Sequence, residues 1–473
     1  MSVKTVLGIV LFLCGCGKLN CFGEELPRIS DFLSQSQASK YYGGLLPIYE
    51  IGDRYYWQIA DTLYGRDFLV TTTLLKGSAC QTRYSEQRYG YGGDRLDVCI
   101  FRLKKRGDDI LMLQPFIVHG NSGGVSDIVK QKGEGAVVEC LKVVARDEYE
   151  ALVDITDLLE KNESYFGLGR FEMDLGIGTY VPESSFLKEV CPAAKSLTIR
   201  FVRTCMSVSP FPDPSVKSEP TRWEYGVSLC LLDKIPMEGR MIDGRVGYFT
   251  NKVRNYDNAV YDKGECEFIS RWKLVPHREQ LEAYLGGDLV EPIKPIVFYI
   301  DKQIPTWLYP YVKRAVEAWQ PAFERAGFKN AILARPEPMR EEDSVFSVDN
   351  ARYAYISYKT SPLKNAYGPS SVDPRSGEIL CSHIGIFNSI SDLVQELYFC
   401  QAGALDSLAR RIVLPDTLLG KLIQYVVCHE VGHALGLKHN FRGSSVFSTA
   451  SLRDKEFLRN LGAYTVDRVT KRE

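Results

Sequence analysis

The chain has 473 residues, 45% hydrophobic and 25% charged, which is material for two to four globular domains and not for a disordered chain. Its 58 Lys+Arg and 59 Asp+Glu leave a formal net charge of −1, so the basic footprint of a nucleic-acid-binding protein is absent overall. No run of about 18 or more apolar residues occurs, and no segment is long enough to span a bilayer as a helix.

Residues 1–23 read as a signal peptide. Lys4 precedes a short apolar run at 5–13, followed by Cys14-Gly15-Cys16-Gly17. Leu13-Cys14-Gly15-Cys16 resembles the lipobox of bacterial lipoproteins, in which the last Cys carries lipid. A rival cut follows Gly23, with Cys21 as the other small residue before it. The leader predicts an exported protein of the periplasm, outer membrane or cell surface, with a lipid anchor at Cys16 as one option. Ten further cysteines are widely spaced without a CxxC pair, so no thiolate zinc site is indicated. They fit either scattered core positions or disulfides of unassigned pairing.

The next stretch, 24–75, predicts a small β-rich domain. Strand-like runs at 45–51 and 54–59 flank Gly52-Asp53, a hairpin signal, and 68–75 is a third strand rich in β-branched residues. Residues 76–288 predict a larger β-rich accessory domain of the sandwich or barrel type. Its strands are expected at 96–103 and 110–113 around a Gly107-Asp108 turn, then at 138–145, 197–208, 223–232 and 246–250. The Pro-rich stretch 210–214 reads as a surface loop. His119 and His277 stand alone and read as structural.

A boundary falls near 291–295, and 289–473 reads as an α/β (α+β) domain. A buried strand at 296–300 leads into a helix over 306–326, kinked at Pro321 and ended by Gly327. Strands are expected at 331–334, 352–358 and 379–387. A last helix over 416–435 takes Asp416 as N-cap and is apolar on most sides, which predicts burial.

That helix ends in His429-Glu430-Val431-Gly432-His433-Ala434-Leu435-Gly436-Leu437-Lys438-His439. Four residues turn a helix by about 400°, so His429 and His433 project from one face, one turn apart. Their ring nitrogens can converge on one ion at about 2.0–2.1 Å. His439 is too far along for a continuing helix to deliver it. Gly436 can take the left-handed conformation that ends the helix and returns the third ring to the ion. Three neutral His with one open position describe a catalytic zinc (Zn2+) site rather than a closed structural one. A rival scheme takes its third ligand from a downstream Glu, with Glu456 as candidate, but the Gly436/His439 spacing favours three His. A bland core role fails, because carboxylate and imidazole groups inside an apolar helix need a partner. Zinc acidifies a water and polarises a carbonyl, and Glu430 beside the ligand face is placed to act as general base for peptide-bond hydrolysis.

The 429–439 segment resembles the metzincin zinc-binding signature HExxHxxGxxH. Further likenesses occur at 295–301, at 316–328, at 373–380 and at His439-Asn440-Phe441. Upstream, Arg245-Val246-Gly247-Tyr248-Phe249 and the run from Tyr56 to Leu69 resemble two accessory domains. Together they resemble a bacterial metzincin-like family of exported zinc-dependent proteins, common in Bacteroides-type bacteria, with two N-terminal domains of unknown function. The resemblance implies a zincin catalytic domain, a protein or peptide substrate, and an edge strand near 379–387 that pairs with it. In one respect the sequence departs from the family pattern. Metzincins carry a Met-turn after the third His, whereas the last Met here is Met339. The expectation is a catalytic domain incomplete at its C-terminus, with 440–473 loosely packed. A catalytically impaired surface scaffold with a vestigial zinc site is the alternative to the endopeptidase.

Overall fold

The computed structural model describes residues 26–461, apart from 36–39, 78–89, 120–123, 127, 129–132, 134, 162–164, 169–171, 173–174, 209–216, 258–264, 340, 361–363 and 405. The leader with Cys14, Cys16 and Cys21, together with Cys80, the 210–214 loop and residues beyond 461, lie outside the described residues.

Alternating apolar residues and Gly-containing turns fold the first half into antiparallel strands. In chain order these are β1 (Lys40–Tyr42), β2 (Ile48–Ile51), β3 (Arg54–Ala60), β4 (Asp67–Lys76), β5 (Arg95–Arg106) and β6 (Asp109–Gln114). There follow β7 (Ala136–Arg146), β8 (Glu150–Asp154), β9 (Ile177–Tyr180), β10 (Phe186–Pro192), β11 (Ser196–Ser207) and β12 (Pro220–Leu231). All belong to one sheet ordered β1-β2-β3-β8-β7-β6-β5-β4-β12-β11-β10, with β9 also on β11. Its ends approach each other: Leu45 N–H donates to the Ala193 carbonyl at 2.9 Å. The sheet therefore curls around a single interior that holds Trp57, Phe68, Phe101, Phe166, Phe201 and Trp223. Curling brings together two edges that would otherwise expose unpaired backbone groups. The division drawn at 75/76 from the sequence falls inside this sheet, since β4 pairs with β5 on one side and β12 on the other. Two short strands, β13 (Thr250–Arg254) and β14 (Glu265–Ile269), pair separately. The strand expected at 246–250 thus begins at Thr250.

β4 is buried along both faces. Phe68, Val70 and Leu74 point into the barrel-like interior, whereas Leu69 joins Ile100, Leu232, Ala351 and Cys381 in a second cluster outside it. The period of two puts neighbouring side chains on opposite faces. Both are covered here because the C-terminal half packs against the outer one. Arg375 stitches the two halves, reaching Asp67 at 3.3 Å. Arg200 does the same, reaching Asp349 at 2.8 Å.

The second half is a mixed sheet with helices. It contains β15 (Ile296–Ile300), β16 (Ile332–Pro336), β17 (Ala354–Lys359), β18 (Ala366–Tyr367), β19 (Ser370–Asp373) and β20 (Glu378–Phe387). The order is β16-β15-β17-β20-β18, with β19 also on β20. β15, β16, β17 and β20 run parallel, and β18 and β19 run antiparallel to β20. The helix Asp416–Ala434 buries Ile423, Val427, Val431 and Ala434 in the core of this sheet.

Several expectations are corrected. The single helix over 306–326 is two helices, Tyr309–Glu317 and Gln320–Arg325. Pro321 sits in the first turn of the second, where its missing N–H costs no bond, so it starts a helix rather than kinking one. The helix expected to be the last takes Pro415 as its N-cap residue, with no side-chain cap, and Asp416 is its first residue; two short helices, Thr449–Arg453 and Lys455–Leu461, follow it. The helix Ile390–Ala402 had no counterpart in the sequence reading. Lastly, 379–387 is not an edge: β20 has β17 on one side and β18 and β19 on the other. Among the described residues β18 and β19 form the edge of the sheet beyond β20, and β16 forms the opposite edge.

Candidate metal centre

His429 and His433 leave one face of the helix Asp416–Ala434 near its C-terminus, as their spacing requires. The helix then stops. Gly436 N–H donates to the His433 carbonyl at 2.9 Å and Leu437 N–H to the Gly432 carbonyl at 3.0 Å. Gly436 has φ +102°, and a Cβ there would meet the Ser270 carbonyl oxygen at 2.1 Å. Glycine is required twice over, for the left-handed turn and for the close approach. The turn brings His439 back to the other two rings.

The three side chains converge. His439 Nε2 lies 3.1 Å from His429 Nε2 and 3.1 Å from His433 Nε2, and one ligand atom from each lies within 4.8 Å of the others. Three nitrogens about 2.0–2.1 Å from a tetrahedral ion stand about 3.3–3.4 Å apart, so the donor set fits zinc. His433 Nδ1 lies 2.7 Å from the Leu437 carbonyl. Only an N–H can face that oxygen, which leaves the Nε2 lone pair pointing at the other rings. Burial, helped by the neighbouring His433 and His439, lowers the His429 pKa from its ordinary value, which favours the neutral form that a metal ligand needs.

Glu430 is buried, at 8% exposure, and borders a cleft of 770 Å³ shared with the three histidines. The far wall of that cleft is the edge strand: Ala366, Tyr367, Gly368 and Pro369 line it. A Cβ at Gly368 would lie 3.0 Å from the Glu430 carbonyl, so the strand runs directly beside the helix backbone. Phe249 and Phe441 complete an apolar lining, with Lys438 as a cation at its rim.

Glu456 is exposed in the short helix Lys455–Leu461 and stands outside the ligand cluster. His119 packs edge-on against Phe268 at 4.8 Å, and both it and His277 stand outside the ligand cluster. The nine described cysteines are free. Burial pushes the Cys99 thiol up to about 12 and Cys230 to about 11, so neither supplies a thiolate at neutral pH.

Two groups of residues escaped the sequence reading. One is a buried network at the junction of the halves, where Lys359 Nζ and Tyr367 Oη both meet the Asp94 carboxylate. Asp94 also accepts from the backbone N–H groups of Gly90 at 2.6 Å and Tyr91 at 2.7 Å. Burial pulls the Lys359 pKa down, and Asp94 opposes it. The sixth histidine, His383, lies beside this network with neither ring nitrogen hydrogen-bonded. The other group lies behind the metal centre: Trp272 Nε1 donates to the Ala434 carbonyl at 2.9 Å, and 247–249 flanks Leu437. No spacing rule links either group to the HExxH run. An expected strand at 246–250 and the family likeness at 245–249 marked that stretch in the sequence, but neither placed it beside the histidines.

Three family models match successive stretches of the chain. "Domain of unknown function (DUF5118)" covers 27–77, "Domain of unknown function (DUF5117)" covers 93–277, and "Met-zincin" covers 411–465. The Met-zincin match contains the helix Asp416–Ala434 and all three converging histidines. The chain is thus similar to a metzincin-like protein preceded by two domains of unknown function. No curated protein and no solved structure matches it.

Proposed function

We propose that the chain is a zinc-dependent endopeptidase, with His429, His433 and His439 as metal ligands and Glu430 as general base. The observation that carries this reading is the convergence of three Nε2 atoms beside a buried carboxylate in one open cleft. Zinc held by these rings supplies a Lewis acid that polarises a carbonyl and acidifies a water. The remaining work falls to the chain. A Glu430 carboxylate oxygen accepts the proton of the attacking water and passes it to the departing amine nitrogen, so the proton count balances as the peptide C–N bond breaks. The open edge of β18 and β19 can take an extended peptide as one more strand, by backbone hydrogen bonds, and hold the scissile bond over Glu430. This role moves from 379–387 to 366–373. The apolar cleft lining around Phe249 and Phe441 suits uncharged side chains next to that bond.

The same reading assigns residues 1–23 to export and Cys16 to a lipid anchor. Release of a Cys16→Ala variant from bacterial membranes would support the anchor. The decisive experiment for the enzyme compares zinc content and peptide hydrolysis in the wild type and in Glu430→Gln. The variant keeps about one zinc per chain and loses at least about 100-fold in hydrolysis. Equal hydrolysis by the two proteins would reject the assignment of Glu430.

A further inference from the structure

The third ligand and the outer partner of the second are held in place from an unexpected direction. Gly436 and Lys438 flank Leu437 in the loop that leads to His439, and both are bonded to 247–249, a segment of the accessory half. Phe249 N–H donates to the Gly436 carbonyl at 2.7 Å, and Lys438 N–H donates to the Gly247 carbonyl at 2.9 Å. Tyr248 and Leu437 therefore stand opposite each other as an antiparallel pair. In such a pair the bonds to the partner alternate along the chain, so the polar groups of the middle residue point to the other side. The Leu437 groups do so: its N–H reaches Gly432, and its carbonyl accepts from His433 Nδ1 at 2.7 Å. That last bond fixes the ring tautomer that presents Nε2. The Phe249 ring adds an edge contact to the same imidazole, with centroids 5.7 Å apart at 62°. Behind it, Ser270 N–H donates to the Phe249 carbonyl at 2.7 Å and ties the segment to the rest of the accessory half.

We propose that 247–249 is a positioning element of the metal centre, through which the accessory half of the chain sets its zinc affinity. The inference rests on the three histidines being the zinc site, and it goes beyond that reading by giving a role to the stretch matched as a domain of unknown function. Phe249 does not touch the metal. It acts through Leu437 and His433, as partners of metal-ligating histidines do, and loss of such a partner typically costs about 10–100-fold in affinity.

The test uses the full-length protein and zinc alone, measured by competition with a chromophoric chelator, with the absorption bands of the cobalt-substituted protein as a second readout. Phe249→Pro removes both the N–H bond and the ring, and Phe249→Ala removes the ring. Both are expected to bind zinc about 10–100-fold more weakly, with shifted cobalt bands, and Phe249→Tyr is expected to restore both readouts. If Phe249→Pro fails to fold, Phe249→Ala decides. Wild-type affinity and unshifted cobalt bands in Phe249→Ala would overturn the proposal and leave the three-histidine site intact. A wild-type protein without zinc affinity would overturn both.

Discussion

The chain gathers polar side chains at two places near the junction of its halves and completes them in opposite ways. Around Asp94 the network is closed. Lys359, Tyr367 and two backbone N–H groups surround one carboxylate, and Asp94 has no exposure. Around His439 the arrangement is open. Its Nε2 stands 3.1 Å from Nε2 of both His429 and His433, beside an open cleft. The first cluster compensates every charge it buries and so joins two sheets. The second directs several lone pairs at one point and so creates demand for a cation. Buried polarity that is saturated holds a structure together, whereas convergent polarity left unsaturated marks chemistry.

Breaking the open cluster should have the largest effect. His433→Ala removes one of three ligands, and elemental analysis should find zinc content falling from about one per chain to near zero. Unchanged content would mean that the rings converge for some other reason.

Breaking the closed cluster should cost stability instead of metal. Asp94→Ala leaves the buried Lys359 ammonium without its counter-charge, with only the Tyr367 hydroxyl beside it, and urea unfolding should show a loss of about 3–5 kcal/mol. Adding Lys359→Met to that variant should recover most of the loss, because the stranded charge is gone. If both variants matched the wild type in stability, the network would not be what joins the halves.

Gly436→Ala sharpens the contrast at the boundary between the two regions. The new Cβ would meet the Ser270 carbonyl, on a residue whose φ is +102°. A loss of about 1–3 kcal/mol is expected from backbone strain, together with weaker zinc binding as His439 is displaced. A stable variant with full zinc affinity would show that the turn is not what delivers the third ligand.

The smallest effect concerns His383, which is buried beside the closed cluster. Burial, with Lys359 and Arg95 as lesser contributors, holds its pKa well below 6.5. Below about 6.5 the unfolded chain takes up a proton that the native ring refuses, so stability falls as pH falls, by at most about 1.4 kcal/mol per pH unit from this group. Denaturation midpoints between pH 7 and pH 5 should therefore decline less steeply in His383→Gln. An identical slope would remove His383 from the account.

Residues close together in sequence were the ones the sequence could place. Helical periodicity alone set His429 and His433 on one face, Gly436 marked the turn, and His439 followed. The hairpins at Gly52 and Gly107 were legible for the same reason, since alternation and turn chemistry act over a few residues. The helix Ile390–Ala402 was missed because its apolar residues do not form a clean stripe. Tertiary structure alone decided what stands beside what. It paired β4 with β12, brought Asp94 to Lys359, moved the open edge from β20 to β18 and β19, and placed Phe249 against His433. The pairing of β4 with β12, Asp94 with Lys359 and Phe249 with His433 joins segments far apart in the chain, where no local period can be read, whereas β18 and β19 fold back on β20 across the short turn at 374–377. The local sequence therefore determined which three histidines and which carboxylate come together, while the fold decided which strand walls the cleft and which segment packs behind Leu437 and His433.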